Sequence, residues 1–122
     1  MKSCLVVDDS SVVRLMARRM LEDLNFHVEE AEDGKVALES CRRDMPDVIL
    51  LDWNMPVMNG IEFLRELRGS ADGGAPVVVL CTTENDLDHI REAIAAGANE
   101  YIMKPFDADI LLSKFVQAGI TE

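Results

Sequence analysis

Three acidic residues and one lysine follow short apolar runs in this chain, at positions where they could do chemistry. Asp52 ends one such run and precedes a turn that contains proline. Asp8 and Asp9 end a second run, and Lys104 follows a third. Open α/β sheets bind ligands outside the carboxyl ends of their strands, which is where these side chains would meet. Together they suit a site for a divalent cation and an anionic group.

Convergence of the three carboxylates would be costly without a cation. A pair of like charges repels by about 4 kcal/mol at ~4 Å and an effective dielectric near 20. Taken singly, Asp8 and Asp9 could cap a helix and Asp52 could begin a turn, but their shared placement at strand ends favours a cation site. Carboxylate oxygens select a hard cation, and Mg²⁺ suits few protein ligands with several waters. The sequence therefore predicts a magnesium site.

Two further elements point to phosphoryl transfer. Lys104 could reach over the sheet edge as a point charge for a phosphate-like oxygen. Pro105 is a candidate for a cis peptide, which tight turns tolerate. Thr82 ends the fourth apolar run and offers a hydroxyl at the same edge. A carboxylate that attacks phosphorus beside a cation, a lysine and a hydroxyl would form an aspartyl phosphate.

The pattern of the chain supplies the elements that would hold these groups. Apolar runs near 4–8, 26–31, 47–52, 76–81 and 99–103 alternate with segments of helical periodicity. In the first of those segments, Val13, Ala17 and Leu21 mark a single apolar stripe. Strict alternation predicts a parallel sheet covered by helices on both faces, in one α/β domain over residues 1–122.

Composition narrows the class of protein. The net charge of -11 argues against nucleic acid or an anionic membrane surface as a direct partner. Cys4, Cys41 and Cys81 lie in or beside apolar segments without metal-ligand spacing, as expected for reduced thiols of a cytoplasmic protein. No apolar run approaches the ~20 residues that a membrane span needs. We therefore expect a cytoplasmic protein with no membrane insertion.

With these residues in place, the sequence resembles the receiver domains of bacterial two-component response regulators. The resemblance runs from the first strand to the last helix. It implies a doubly wound flavodoxin-like, or CheY-like, fold with the parallel five-stranded sheet in the order 2-1-3-4-5. The segments that carry it are Val7-Asp8-Asp9, Asp52-Trp53-Asn54-Met55-Pro56, Thr82, Tyr101 and Lys104-Pro105-Phe106.

The resemblance also implies roles for individual residues. Asp52 would be the phosphoacceptor. It would also hold Mg²⁺, together with Asp9 as a direct ligand and Asp8 acting mainly through water. The backbone carbonyl of Asn54 would complete the metal ligands. Lys104 would pair with a phosphoryl oxygen. The remaining assignments are Thr82 and Tyr101 as switch residues, and Asn54, Glu84 and Thr83 as positions that tune the lifetime of the phosphorylated form. Thr83 departs from the family, which usually has Ala or Gly there.

The resemblance implies a signalling switch rather than an enzyme. A sensor histidine kinase or histidine phosphotransfer domain would phosphorylate Asp52, and a downstream protein would bind a face formed by the fourth helix, fifth strand and fifth helix. A chemotaxis pathway or a related phosphorelay, and a monomer, are expected. A phosphate sink and a receiver cut from a longer regulator stay open.

Two other classes of protein fit less well. An aspartyl-nucleophile phosphatase of the haloacid dehalogenase type needs an aspartate at position 54, where this chain has Asn54. A flavodoxin-like FMN carrier needs a phosphate-cradling loop after the first strand, where Asp8 and Asp9 would repel phosphate.

Overall fold

The structure is a computed structural model, and it describes residues 2–53, 55, 57–70, 72, 74–82 and 87–120. Strands and helices alternate along this part of the chain, as the sequence predicts. The strands are β1 (Ser3–Val7), β2 (His27–Ala31), β3 (Val48–Asp52), β4 (Val77–Thr82) and β5 (Glu100–Met103). The helices are α1 (Ser11–Asp23), α2 (Gly34–Arg43), α3 (Gly60–Gly69), α4 (Leu87–Ala96) and α5 (Ala108–Gln117).

The described strands form one parallel sheet in the order β2-β1-β3-β4-β5. This order is the one that the family resemblance implies. β1 and β3 lie at the centre, where Cys4 pairs with Val48 and Val7 with Leu51. The fully buried β3 is an almost continuous apolar run because both of its faces are covered.

Helices cover the two faces of the sheet unequally. On one face, α2, α3 and α4 pack on alternate strand residues such as Leu5, Ile49 and Leu80. On the other face, α1 and α5 pack on the intervening residues, such as Val6 and Leu50. The period of two along each strand thus divides the core into two layers, and the doubly wound prediction is confirmed.

Polar caps fix where the helices begin. The Ser10 hydroxyl accepts a hydrogen bond from Val13 N at 3.2 Å, and Asp33 accepts one from Val36 N at 2.9 Å. Asn59 and Glu62 form a reciprocal capping box at the start of α3. Each cap satisfies backbone donors that the first turn of a helix leaves open, and so sets where the preceding loop ends.

The three cysteines lie in this core as free, buried thiols. Burial raises the pKa of Cys4 to about 12 and that of Cys41 to about 11. Burial also raises the pKa of Cys81 well above its ordinary value. Thiols held in the protonated form are poor nucleophiles, so the cysteines pack as small apolar side chains.

None of the helices in the described part of the chain combines the length and the apolar character that crossing a bilayer requires.

Candidate functional site

Four parallel strands deliver the predicted site residues to one edge of the sheet. Asp8 and Asp9 follow β1, Asp52 is the last residue of β3, Thr82 is the last residue of β4, and Lys104 follows β5. The Lys104 N–H donates to the Thr82 carbonyl at 2.9 Å, which continues the sheet pairing up to the lysine. Because the strands are parallel, every one of these positions lies at the carboxyl-terminal edge.

The three acidic side chains converge there. One carboxylate oxygen from each of Asp8, Asp9 and Asp52 lies within 4.8 Å of the other two. Asp8 and Asp52 are buried, with 3% and 6% of their surface exposed, whereas Asp9 is exposed. The cluster is therefore a pocket with two buried carboxylates at its base and one at its mouth.

Lys104 joins the two buried carboxylates. Its Nζ atom donates to Asp8 Oδ2 at 2.7 Å and to Asp52 Oδ1 at 3.0 Å. The lysine side chain is itself mostly buried, with 19% exposed. One ammonium group thus offsets part of the repulsion within the acidic cluster. The Lys104–Pro105 peptide bond is cis, as the sequence suggested.

Backbone and side-chain donors hold Asp8 in place. Asp8 Oδ1 accepts a hydrogen bond from Ser10 N at 2.9 Å, and its carbonyl accepts one from Arg14 Nη1 at 2.7 Å. Sequence reasoning did not identify Arg14 as a supporting residue. The available signal was its position one turn into α1, from which a long side chain can reach back to the preceding loop.

Burial shapes the electrostatics of the pocket. Burial raises the pKa of the Asp52 carboxyl; the hydrogen bond from Lys104 opposes this rise, and the charges of Asp8 and Asp9 reinforce it. Burial alone would lower the pKa of Lys104, but its hydrogen bonds to Asp8 and Asp52 outweigh that effect and raise it. The lysine is thus held in its charged form, whereas ionised Asp52 needs additional positive charge nearby.

The loop between β3 and α3 is built around close backbone approaches. The Gly60 N–H donates to the Trp53 carbonyl at 3.0 Å, and a Cβ atom at Gly60 would lie 2.5 Å from the Asp52 carbonyl oxygen. The Gly34 N–H donates to the Met58 carbonyl at 3.3 Å, and a Cβ atom at Gly34 would lie 2.8 Å from the same oxygen. Glycine is needed at both positions because backbone occupies the space of a side chain.

Val57 stands out within this loop. Its φ is 68°, in the left-handed region that costs a residue with a Cβ atom roughly 1–2 kcal/mol. Its side chain is 78% exposed, while Trp53, Met55 and Met58 are half-buried and pack against the core. Sequence reasoning did not identify Val57, because nothing in a residue type reports a φ angle that the residue disfavours.

The two predicted switch residues lie on β4 and β5. Thr82 is buried at the end of β4, and Tyr101 is half-buried on β5 and packs against the core. Lys114 Nζ lies 4.5 Å from the centroid of the Tyr101 ring and 3.4 Å from Glu100 Oε1. Tyr101 is thus in contact with α5 through a cation–π interaction.

Asn54, Thr83 and Glu84, which the sequence analysis named as a metal ligand and as tuning positions, lie outside the described residues.

The donor set fits a hard divalent cation. The converging ligands are carboxylate oxygens, which Mg²⁺ prefers, and the exposed position of Asp9 leaves access for metal-bound water. Asp8 and Asp52 are the buried members and Asp9 is the accessible one. These three residues are the ones that would hold the ion.

Comparisons with known proteins agree with this geometry. The sequence profile described as response regulator receiver domain matches residues 4–116. The chain is 40% identical over 111 residues to chemotaxis protein CheY-3 of Vibrio cholerae. The aligned region covers 90% of this chain and 85% of the relative.

Solved structures show the same fold. Chemotaxis protein CheY4 of Vibrio cholerae superposes with a TM-score of 0.92 at 36% identity, covering 97% of this chain and 98% of that one. The receiver domain of a sensor histidine kinase from Pseudomonas aeruginosa superposes with a TM-score of 0.84 at 29% identity, covering 92% of each chain. That structure has a magnesium ion coordinated in its active-site cleft. The match of profile, sequence and structure over nearly the whole chain shows that it belongs to the response regulator receiver domain family and is CheY-like.

Proposed function

We propose that the chain accepts a phosphoryl group from a phosphohistidine onto Asp52 and signals through the conformational change that follows. One observation carries the proposal. The buried Asp52 carboxylate lies in a cluster with Asp8 and Asp9, and Lys104 donates directly to one of its oxygens. A carboxylate that is aimed out of a strand end, beside a positive charge and a set of metal ligands, is arranged for phosphoryl transfer.

The transfer can be followed bond by bond. An Asp52 carboxylate oxygen attacks phosphorus, an O–P bond forms, and the N–P bond of the phosphohistidine breaks. The electron pair of that bond stays on the imidazole nitrogen, which then takes up a proton. Lys104, 3.0 Å from Asp52 Oδ1, can transfer its contact to an oxygen of the phosphoryl group as negative charge is displaced from the carboxylate.

Mg²⁺ is the proposed cofactor. Asp8, Asp9 and Asp52 are its proposed side-chain ligands, with the Asn54 backbone carbonyl as a further one. When bound, the ion supplies positive charge to the oxygens of the phosphoryl group. The magnesium-containing cleft of the receiver domain from Pseudomonas aeruginosa supports this assignment.

Thr82 and Tyr101 are the proposed switch. The Thr82 hydroxyl would move to the phosphoryl group, and the Tyr101 ring would turn inward to follow it. The face formed by α4, β5 and α5 would then present a different surface to a downstream protein. Exposed apolar residues on that face, Leu87 and Ile94 on α4 and Val116 on α5, support a protein-binding role. To move a population from 1:99 to 99:1, phosphorylation must favour the active state by about 5.5 kcal/mol.

The names of the relatives suggest the biological setting. CheY-3 and CheY4 of Vibrio cholerae are chemotaxis proteins, so we propose that this chain acts in chemotaxis or a related phosphorelay. It would do so as a cytoplasmic, monomeric switch over residues 1–122, with a sensor histidine kinase or histidine phosphotransfer domain as donor. Asn54, Glu84 and Thr83 are proposed to set the lifetime of the acyl phosphate. Apart from accepting and slowly losing that group, it would turn over no substrate.

Labelling from a small phosphodonor tests the acceptor. Wild-type protein incubated with ³²P acetyl phosphate and MgCl₂ should take up acid-labile label of the acyl phosphate type, and Asp52→Ala should take up none. Asp23→Ala, which removes an exposed carboxylate from α1, is the matched control and should label like wild type. Equal labelling of Asp52→Ala and wild type would place the acceptor elsewhere.

Tryptophan fluorescence tests the metal site. Trp53 is the only tryptophan in the chain, directly follows Asp52, and lies with its ring centroid 5.0 Å from that of His89. Titration with MgCl₂ should change its emission, and Asp9→Ala should weaken the response. A wild-type emission that does not change with MgCl₂, or an undiminished response in Asp9→Ala, would contradict the assignment.

A further inference from the structure

We infer that Val57 is a contact and specificity residue for the protein that donates the phosphoryl group. This inference rests on the proposed function and extends it to the choice of donor. It starts from a conflict between the residue and its backbone. Val57 has a φ of 68°, which a β-branched side chain disfavours and which glycine or asparagine adopts more readily.

Burial does not account for valine at this position. Its side chain is 78% exposed, so the strained backbone gains little packing within the chain. Residues on either side behave differently, since Met55 and Met58 are half-buried and pack against the core. Where a residue breaks a local rule without a compensating contact inside the protein, the compensation is expected from function.

Hydrogen bonds hold described residues on both sides of Val57. The Met58 carbonyl accepts a hydrogen bond from Gly34 N, and the Trp53 carbonyl accepts one from Gly60 N. The capping box of Asn59 then sets the start of α3. Valine is stiff at χ1, so its exposed side chain loses little conformational freedom on binding, which suits a recognition contact.

The position of the loop identifies the occupant. Asp52 is only 6% exposed, so a protein donor that brings a phosphohistidine to it must also cover the loops at the mouth of the pocket. Val57 lies five residues after Asp52 on one of those loops. Val12, 65% exposed at the start of α1, and Leu87, 64% exposed at the start of α4, add apolar surface at the same edge. Exposed apolar side chains around an acidic pocket suit contact with a histidine-phosphorylated protein, whereas a small phosphodonor would not reach them.

Two variants separate the side chain from the strain. Val57→Thr keeps the branched shape and the strained backbone but makes the side chain polar. Val57→Asn removes the apolar side chain and relieves the strain. The probes are ³²P acetyl phosphate and those ³²P-labelled histidine kinases of the source organism that phosphorylate the wild-type chain.

Transfer from the kinase should fall in both variants, by about three- to tenfold in kcat/KM, the effect of losing one small apolar contact. Labelling from acetyl phosphate should stay at the wild-type rate. The melting temperature of Val57→Asn should rise by about 3–6 °C, while that of Val57→Thr should stay near wild type. Glu39→Ala, which removes an exposed side chain from the middle of α2, is the matched control and should transfer like wild type.

The outcomes are distinct. Unchanged kinase transfer in both Val57 variants would overturn the inference and leave the proposed function intact. Equal losses with kinase and with acetyl phosphate would also overturn it, because they would show a distorted pocket rather than a lost contact. Failure of the wild-type chain to accept label from any kinase and from acetyl phosphate would instead contradict the proposed function itself.

Discussion

Replacing Lys104 by methionine should destabilise the protein and make its stability more dependent on pH. Methionine keeps most of the length of the side chain and removes the ammonium group. Lys104 Nζ now lies 2.7 Å from Asp8 Oδ2 and 3.0 Å from Asp52 Oδ1. The variant would leave two buried carboxylates, and Asp9 near them, without that positive charge.

The size of the effect follows from these distances. At an effective dielectric near 20, the lysine attracts the two carboxylates by about 6 and about 5.5 kcal/mol before desolvation is counted. Desolvation of the ammonium group and the carboxylates offsets much of that attraction. Removing one partner of a buried pair costs about 3–5 kcal/mol, and the 19% exposure of Lys104 favours the lower end of that range. We expect a loss of about 3 kcal/mol in the free energy of unfolding near neutral pH.

The pH dependence follows from the sign of the Asp52 shift. A raised carboxyl pKa contributes stability that is fully present below the unfolded pKa and is lost as pH rises through the folded pKa. Without Lys104 the pKa of Asp52 should rise further, so the loss relative to wild type should be largest at about pH 8 and shrink toward about pH 4. The raised pKa of Lys104 acts only above the ordinary range of a lysine, outside this window.

Urea unfolding in EDTA at both pH values measures the effect. Addition of MgCl₂ should restore part of the lost stability, because the ion binds the same carboxylates in the folded state. Lys35→Met, on the exposed surface of α2, is the matched control and should stay within about 0.5 kcal/mol of wild type. Unfolding of Lys104→Met at the wild-type urea midpoint at both pH values would refute the reasoning.

Three further predictions concern other parts of the structure. Gly60→Ala should lower the free energy of unfolding by about 1–3 kcal/mol, because its Cβ would lie 2.5 Å from the Asp52 carbonyl oxygen; Gly69→Ala, where a Cβ meets nothing within 4 Å, is the control in urea unfolding. Glu30→Gln should lower the free energy of unfolding by up to about 1 kcal/mol near neutral pH. The reason is that the hydrogen bond from Arg18 lowers the pKa of Glu30, and this stabilises the fold above the pKa of the unfolded state. That cost should vanish as pH falls through the folded pKa of Glu30, and a pH-independent difference in urea unfolding would contradict it. Lys114→Gln should remove the cation–π contact with the ring of Tyr101. Because Tyr101 is the only tyrosine in the sequence, fluorotyrosine labelling gives a single ¹⁹F signal, which should shift or broaden in the variant. An unchanged signal would argue against the contact.

The sequence predicted the central elements well because β1, β3 and β4 are buried on both faces of the sheet. Strands such as β3 then appear as short apolar runs, and their ends fall where the runs end. The predicted run at 26–31 began one residue early, since β2 starts at His27. Phe26 donates its backbone N–H to the Leu21 carbonyl and so belongs to the turn after α1. Its side chain is nevertheless part of the core, packed edge-on against Phe115 at 5.5 Å.

Other features could not be read from residue types alone. Alternating strands and helices do not specify which strands are neighbours, so the sheet order came from the family resemblance. The hydrogen bond from Arg14 to the Asp8 carbonyl depends on the distance between α1 and the preceding loop. The left-handed conformation of Val57 is one that its residue type disfavours, so the sequence gives no sign of it. A local sequence pattern does not report such features, because they depend on the folded chain.

The double hydrogen bond of Lys104 has a consequence for repeated signalling. Through its backbone N–H and its ammonium group, this one residue ties the end of β4, the loop after β1 and the end of β3 to one another. The backbone bond to Thr82 does not depend on an ion or a phosphoryl group, so it keeps the ends of β4 and β5 paired while the ammonium group exchanges Asp52 for a phosphoryl oxygen. The protein can therefore reset after each signal by exchanging small groups over a scaffold that stays assembled.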